Sequence, residues 1–166
     1  PDSSKNIIAA VINQAGTNNL VLFSIAPTGD GSLLSYETEN RPLLEQADLI
    51  YLTDYSDGTQ IYQPTWSPEG NNIAFSLWNE GYQDIYILTF GDNNQVLSIK
   101  PITQDRYTNI SPCWSPDGKY LYFSSDRSGI FNLYAYGLRS GQLFRLTNMI
   151  SGAFEPEVSP DGKKIA

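Results

Sequence analysis

The tetrapeptide Ser-Pro-acidic-Gly recurs three times, at Ser67-Pro68-Glu69-Gly70, Ser115-Pro116-Asp117-Gly118 and Ser159-Pro160-Asp161-Gly162. Successive copies are 48 and 44 residues apart, and the sequence around each copy repeats with it. Proline presets the backbone angle that the first corner of a type I turn requires, and glycine supplies the positive φ that closes it. The chain is therefore one supersecondary unit used repeatedly, and a period of this length belongs to four-stranded units rather than helical hairpins.

Aligned on the turn, Pro64-Thr65-Trp66, Pro112-Cys113-Trp114 and Pro156-Glu157-Val158 read as one short strand. A second strand follows at Asn72–Ser76 and Tyr120–Ser124, and a third at Asp84–Leu88 and Asn132–Tyr136. Both are rich in β-branched and aromatic residues and are bounded by polar or glycine-containing turns. A fourth strand ends in an aliphatic residue and threonine, at Ile102-Thr103 and Leu146-Thr147. Apolar residues on both faces suit a sheet covered on both sides by like neighbours. The expected fold is all-β: a propeller of four-stranded antiparallel blades.

The blades fall at about 1–63, 64–111 and 112–155, with the start of another at 156–166. The first is a degenerate copy in which Leu20–Phe23 and Leu49–Thr53 serve as third and fourth strands and residues 24–47 are an insertion. Because propellers have about four to eight blades, the chain is expected to be part of a larger, six- to eight-bladed ring. Self-association of two chains is an alternative, in which residues 160–166 duplicate residues 1–9 and one copy is displaced.

Ten basic against 18 acidic residues give a formal charge of −8, which repels nucleic-acid phosphates and anionic lipid. No apolar run is long enough to enter a bilayer as a helix. Nucleic acid and membrane insertion are therefore not expected. The sequence has no histidine, so neither its serines nor Cys113 has an imidazole base, and no catalytic residue is assigned. The single cysteine excludes an intrachain disulfide and a cysteine metal cluster. Asp54, Asp57 and Asp92 lie in polar loops without calcium-loop spacing and read as solvated turns, so no metal or other cofactor is expected.

The pattern Pro-x-Trp-Ser-Pro-Asp-Gly-Lys-x-Leu-x-Phe-x-Ser, followed by Leu-Tyr and Leu-Thr, runs through residues 112–147 and resembles the TolB-type β-propeller repeat. Residues 52–103 match it well, with Glu69 in place of aspartate, and residues 1–53 match weakly. The resemblance implies a non-catalytic module that binds a protein or peptide in the periplasm or outside the cell, while leaving a cytoplasmic location open. Repeats of this type also occur in tricorn-like proteases and in the propeller domains of prolyl-oligopeptidase and dipeptidyl-peptidase relatives. A peptidase whose catalytic residues lie outside this segment is thus the alternative reading, and a structural subunit of a larger assembly is the next. The repeat fixes architecture; function resides in sites placed on it.

Candidate sites follow from the repeat. Gln63, Ser111 and Glu155 each stand directly before the repeat proline, and in propellers of this type the first strand is expected to be innermost. With Tyr62, Asn109 and Phe154 they are the expected binding surface at the channel mouth. The insertion, with Glu37, Glu39, Leu43, Leu44 and Glu45, is a second candidate for docking, and a helix could start at Pro42. Trp66 and Trp114 occupy one repeat position and read as packing between blades, whereas Trp78 is expected at a turn as an exposed aromatic that contacts a partner.

Overall fold

A computed structural model describes residues 6–25 and 49–166. Strands β1 (Asn6–Gln14), β2 (Thr17–Ile25) and β3 (Leu49–Tyr51) form a three-stranded sheet in the order β1-β2-β3. Next come β4 (Gln60–Trp66), β5 (Asn72–Asn79), β6 (Tyr82–Phe90) and β7 (Val96–Pro101), in spatial order β4-β5-β6-β7. The third sheet repeats that order with β8 (Asn109–Trp114), β9 (Tyr120–Ser125), β10 (Asn132–Gly137) and β11 (Leu143–Arg145). Every pairing within the sheets is antiparallel. These are the expected all-β blades of a partial propeller.

The repeated tetrapeptide makes the hairpin between first and second strands. The amide of Gly118 donates to the Ser115 carbonyl at 2.9 Å, and that of Gly70 to Ser67 at the same distance. Glycine is required there because its φ is +66° at Gly118 and +72° at Gly70. The serine hydroxyl closes the turn from within: Ser115 Oγ accepts from the amide of Tyr120 at 2.9 Å and donates to Asp117 Oδ1 at 2.7 Å. Ser159 and Asp161 repeat this arrangement. Glu69, one methylene longer, does not: Ser67 Oγ turns to Asn71 Oδ1 instead.

Residues alternate across each strand, so β5 and β6 serve two cores. Ile73, Phe75, Leu77 and Leu88 pack with Leu20, Leu22 and Ile61 between the first and second blades. Ala74, Ile85 and Ile87 face the other way, onto Trp114, Leu121, Phe123 and Tyr134 of the third. Each fully buried side chain of this size contributes about 1.5–3 kcal/mol. The middle blade is thus the sandwiched sheet that its two apolar faces predict.

The fourth strands end at Pro101 and Arg145, two residues before the threonines expected to close them. Those threonines instead form a repeated side-chain clasp on the third strand. Thr103 Oγ1 donates to Asp84 Oδ1 at 2.7 Å and accepts from the amide of Ile85 at 2.9 Å. Thr53 does the same with Asn19 and Leu20, and Thr147 with Asn132 and Leu133. Strand β2 runs to Ile25, two residues into the expected insertion. Glu37, Glu39, Leu43, Leu44 and Glu45 lie outside the described residues, as does the helix start at Pro42.

Candidate functional site

Each complete first strand carries a β-bulge where proline denies the ladder a donor. The register slips between Tyr62 and Thr65 in β4, and between Ile110 and Cys113 in β8. At these bulges Gln63 and Ser111 adopt φ of +52° and +57°, and Glu155, before the third repeat proline, adopts +51°. For residues other than glycine this left-handed conformation costs about 1–2 kcal/mol each. In one case a direct inter-blade contact offsets the strain: Gln63 Nε2 donates to Ser111 Oγ and the Ser111 amide donates to Gln63 Oε1, both at 2.9 Å.

The expected mouth residues therefore divide. Tyr62, Gln63, Glu155 and Phe154 are exposed, whereas Ser111 is buried. Asn109 is entirely buried, so it supports the rim from behind instead of presenting itself there. Phe154 packs against Phe131 at a tilt of 39°, with ring centroids 4.8 Å apart. Trp78 lies on β5 and not in a turn: the chain reverses two residues later, at Glu80 and Gly81, whose φ angles of +52° and +93° define a two-residue hairpin. Trp78 is 41% exposed.

Tyr62, Gln63 and Trp78 come together in one open groove of about 720 Å³, with Gln60, Gln83 and Ile110 completing its lining. Gln60, Trp78 and Gln83 are cross-strand partners on β4, β5 and β6, which places them on one face of the blade. Ile110 comes from the next blade. Neither Gln60 nor Gln83 was expected from sequence, because glutamine carries no motif; only the strand register brings them beside Trp78.

Behind the groove a polar network ties the two blades together. Asn109 Nδ2 donates to Asp105 Oδ1 at 3.0 Å, Asp84 Oδ1 at 3.3 Å and the Gln83 carbonyl at 3.4 Å. Arg127 Nη2 donates to Asn109 Oδ1 and Asp105 Oδ2, both at 2.9 Å. Its guanidinium carbon also lies 5.1 Å from the ring centre of Tyr134 and 5.5 Å from that of Tyr107. Burial pushes the Asp84 carboxyl above its ordinary range, although Thr103 and the amide of Asp105 donate to it. Sequence offered a faint signal here, since Asn109 stands where the preceding blade has the aliphatic Ile61.

Among the described residues no three carboxylate or cysteine side chains gather as metal ligands, and no helix is long and apolar enough to cross a membrane. Asp57 accepts hydrogen bonds from the amide and hydroxyl of Thr59, which hold its carboxyl below the usual range.

The geometry agrees with known folds. A protein of Agrobacterium tumefaciens assigned as TolB superposes with a TM-score of 0.69 at 21% identity, covering 99% of this chain and 50% of that one. TolB from Acinetobacter baumannii gives 0.68 at 26% identity, covering 99% and 35%. A puromycin-hydrolyzing peptidase of Mycobacterium tuberculosis gives 0.63 at 16% identity, covering 98% and 26%. The chain thus spans half or less of each of these proteins. No curated protein matches it in sequence. The family description TolB beta propeller domain matches residues 56–166, the stretch that holds both complete blades and the bulged first strands, and the chain belongs to that family.

Proposed function

We propose that the chain is a non-catalytic recognition module that binds a protein or peptide through the groove at the channel mouth. One observation carries this reading: Tyr62 and Trp78, 43% and 41% exposed, both line, with Gln63, the opening between two blades. Partly exposed aromatics in a concave site supply contact area at low entropic cost and are the residues most enriched in binding hot spots. The absence of histidine from the sequence supports a role without acyl-transfer chemistry. The envelope or extracellular location implied by the likeness to TolB is part of this proposal.

The test is photo-cross-linking with a benzophenone amino acid at position 62, set against the same group at position 119 at the other end of the blades. Mass spectrometry should recover peptides of a partner from position 62 alone. Equal yields from both positions, or none from position 62, would refute the reading.

A second reading has its own support in the fold shared with the Mycobacterium tuberculosis puromycin-hydrolyzing peptidase. In it the chain is the propeller part of a peptidase whose catalytic residues lie elsewhere. The purified chain should then leave puromycin and peptide substrates intact, whereas a longer product of the same gene should cleave them.

A further inference from the structure

The two junctions between blades are built on the same plan, yet their rims differ. Strand register makes Asn13 equivalent to Trp78 and Asn18 equivalent to Gln83. At the first junction Asn13 Nδ2 donates to Asn18 Oδ1 at 2.8 Å, and Asn18 Nδ2 crosses to the Ile61 carbonyl at 3.1 Å. Asn18 is buried by that crossing. At the second junction Asn109 Nδ2 crosses from the third blade to the Gln83 carbonyl at 3.4 Å and to Asp84 Oδ1 at 3.3 Å, but among the described residues neither the Trp78 nor the Gln83 side chain makes a crossing hydrogen bond. One pair of asparagines seals the first rim; an indole and a longer amide leave the second open.

The chemistry of the opening is specific. No charged side chain lines it, although the sequence carries a net charge of −8. Gln63 is engaged with Ser111, and Gln60 donates to the carbonyls of Gly16 and Gly58. The Gln83 side chain makes no hydrogen bond to the described residues and is half-buried, so its amide can pair with an incoming peptide group. Two exposed carboxylates lie close in sequence to the lining of the groove, Glu80 two residues after Trp78 and Asp57 three before Gln60.

We propose that the cleft between the second and third blades is an anchor pocket for one uncharged aromatic side chain of an extended peptide, whose flanking residues are lysine or arginine. Trp78, Tyr62 and Ile110 enclose the ring, Gln83 pairs with the adjoining peptide bond, and the acidic border attracts the flanking cations. The proposal rests on the reading of the mouth as a peptide site and specifies what that site selects.

It is tested by titrating the isotope-labelled chain with three short peptides, Lys-Ser-Trp-Ser-Lys, Lys-Ser-Ala-Ser-Lys and Glu-Ser-Trp-Ser-Glu, while following backbone amides, the Trp78 indole and the Gln83 side-chain amide by NMR. The first peptide should shift both side-chain signals saturably. Replacing its tryptophan by alanine, or Trp78→Ala in the protein, should weaken binding about tenfold, as expected for a central aromatic contact. The Glu-flanked peptide should bind more weakly than the Lys-flanked one, with the difference shrinking in salt. Unperturbed amides elsewhere in Trp78→Ala establish that the variant is folded. Saturable shifts at Gln63, Ser111 and Glu155 without movement of Trp78 would overturn the anchor and leave the mouth reading standing. Shifts at neither set would overturn the anchor and count against both. Equal affinity for the tryptophan and alanine peptides would also overturn it.

Discussion

The indole N–H of Trp114 donates to the Thr65 carbonyl of the preceding blade at 3.1 Å. Trp66 holds the same repeat position but stacks on Phe90 within its own sheet, with ring centroids 5.5 Å apart. One tryptophan is therefore an inter-blade tie and the other a lid on its own core. Trp114→Phe removes the donor that joins the two blades and should destabilise by about 0.5–1.5 kcal/mol. Trp114→Ala should lose about 3–5 kcal/mol. Trp66→Phe, which can keep its stacking contact, should cost less than Trp114→Phe. Urea unfolding of the three variants checks the order.

Asp84 gives the second blade an unusual dependence on pH. Its folded-state pKa is raised by burial, so the native state holds a proton that the unfolded chain has released over the interval from the ordinary carboxylate value up to the raised one. Across that interval the Asp84 contribution to stability falls as pH rises. Asp84→Asn introduces the residue already found at the equivalent Asn19 and Asn132, so the variant should abolish that slope and be no less stable at neutral pH. Melting temperatures of the two proteins across the acid range provide the comparison.

Asp117 behaves in the opposite sense. Hydrogen bonds from the Ser115 hydroxyl, then from the side chain and amide of Lys119, bring its pKa down to about 2. A lowered folded-state pKa stabilises fully above the ordinary carboxylate value, and the contribution disappears as pH falls toward about 2. Ser115→Ala should raise the Asp117 pKa, measured by following its carboxyl carbon by NMR. An unchanged titration would show that the hydroxyl does not hold the carboxylate.

Ser76 and Ser124 occupy the same place in successive second strands, both are fully buried, and neither hydroxyl has a hydrogen-bond partner among the described residues. A buried unpaired hydroxyl costs about 1–3 kcal/mol. Ser76→Ala and Ser124→Ala should therefore each raise stability by about 1 kcal/mol in denaturant unfolding. A loss instead would point to an enclosed water as the missing partner.

The blades were legible in the sequence because their turns are chemically obligatory: proline, a short acidic residue and glycine have few other uses in that order. The special position of Gln63, Ser111 and Glu155 was also legible, each standing before a proline at the same point of the repeat. Their contacts were not. That Gln63 reaches Ser111 depends on a bulge and on the rotation between adjacent sheets, neither of which leaves a mark in the spacing. The cluster of Asp84, Asp105, Asn109 and Arg127 was hidden for a related reason, since its members come from a third strand, a connecting loop, a first strand and a hairpin loop. The threonine clasp lay nearer the surface of the sequence: Asn19, Asp84 and Asn132 each precede an aliphatic residue on a third strand, and a threonine follows each fourth strand.

The slipped register around Pro64 and Pro112 has a further consequence. Because the extra residue stands outside the hydrogen-bond ladder of its own sheet, its side chain can change from glutamine in β4 to serine in β8 without moving any strand against its neighbour. Fold and specificity are thereby uncoupled at that point, so duplicated copies can diverge in what they recognise while their framework remains the same.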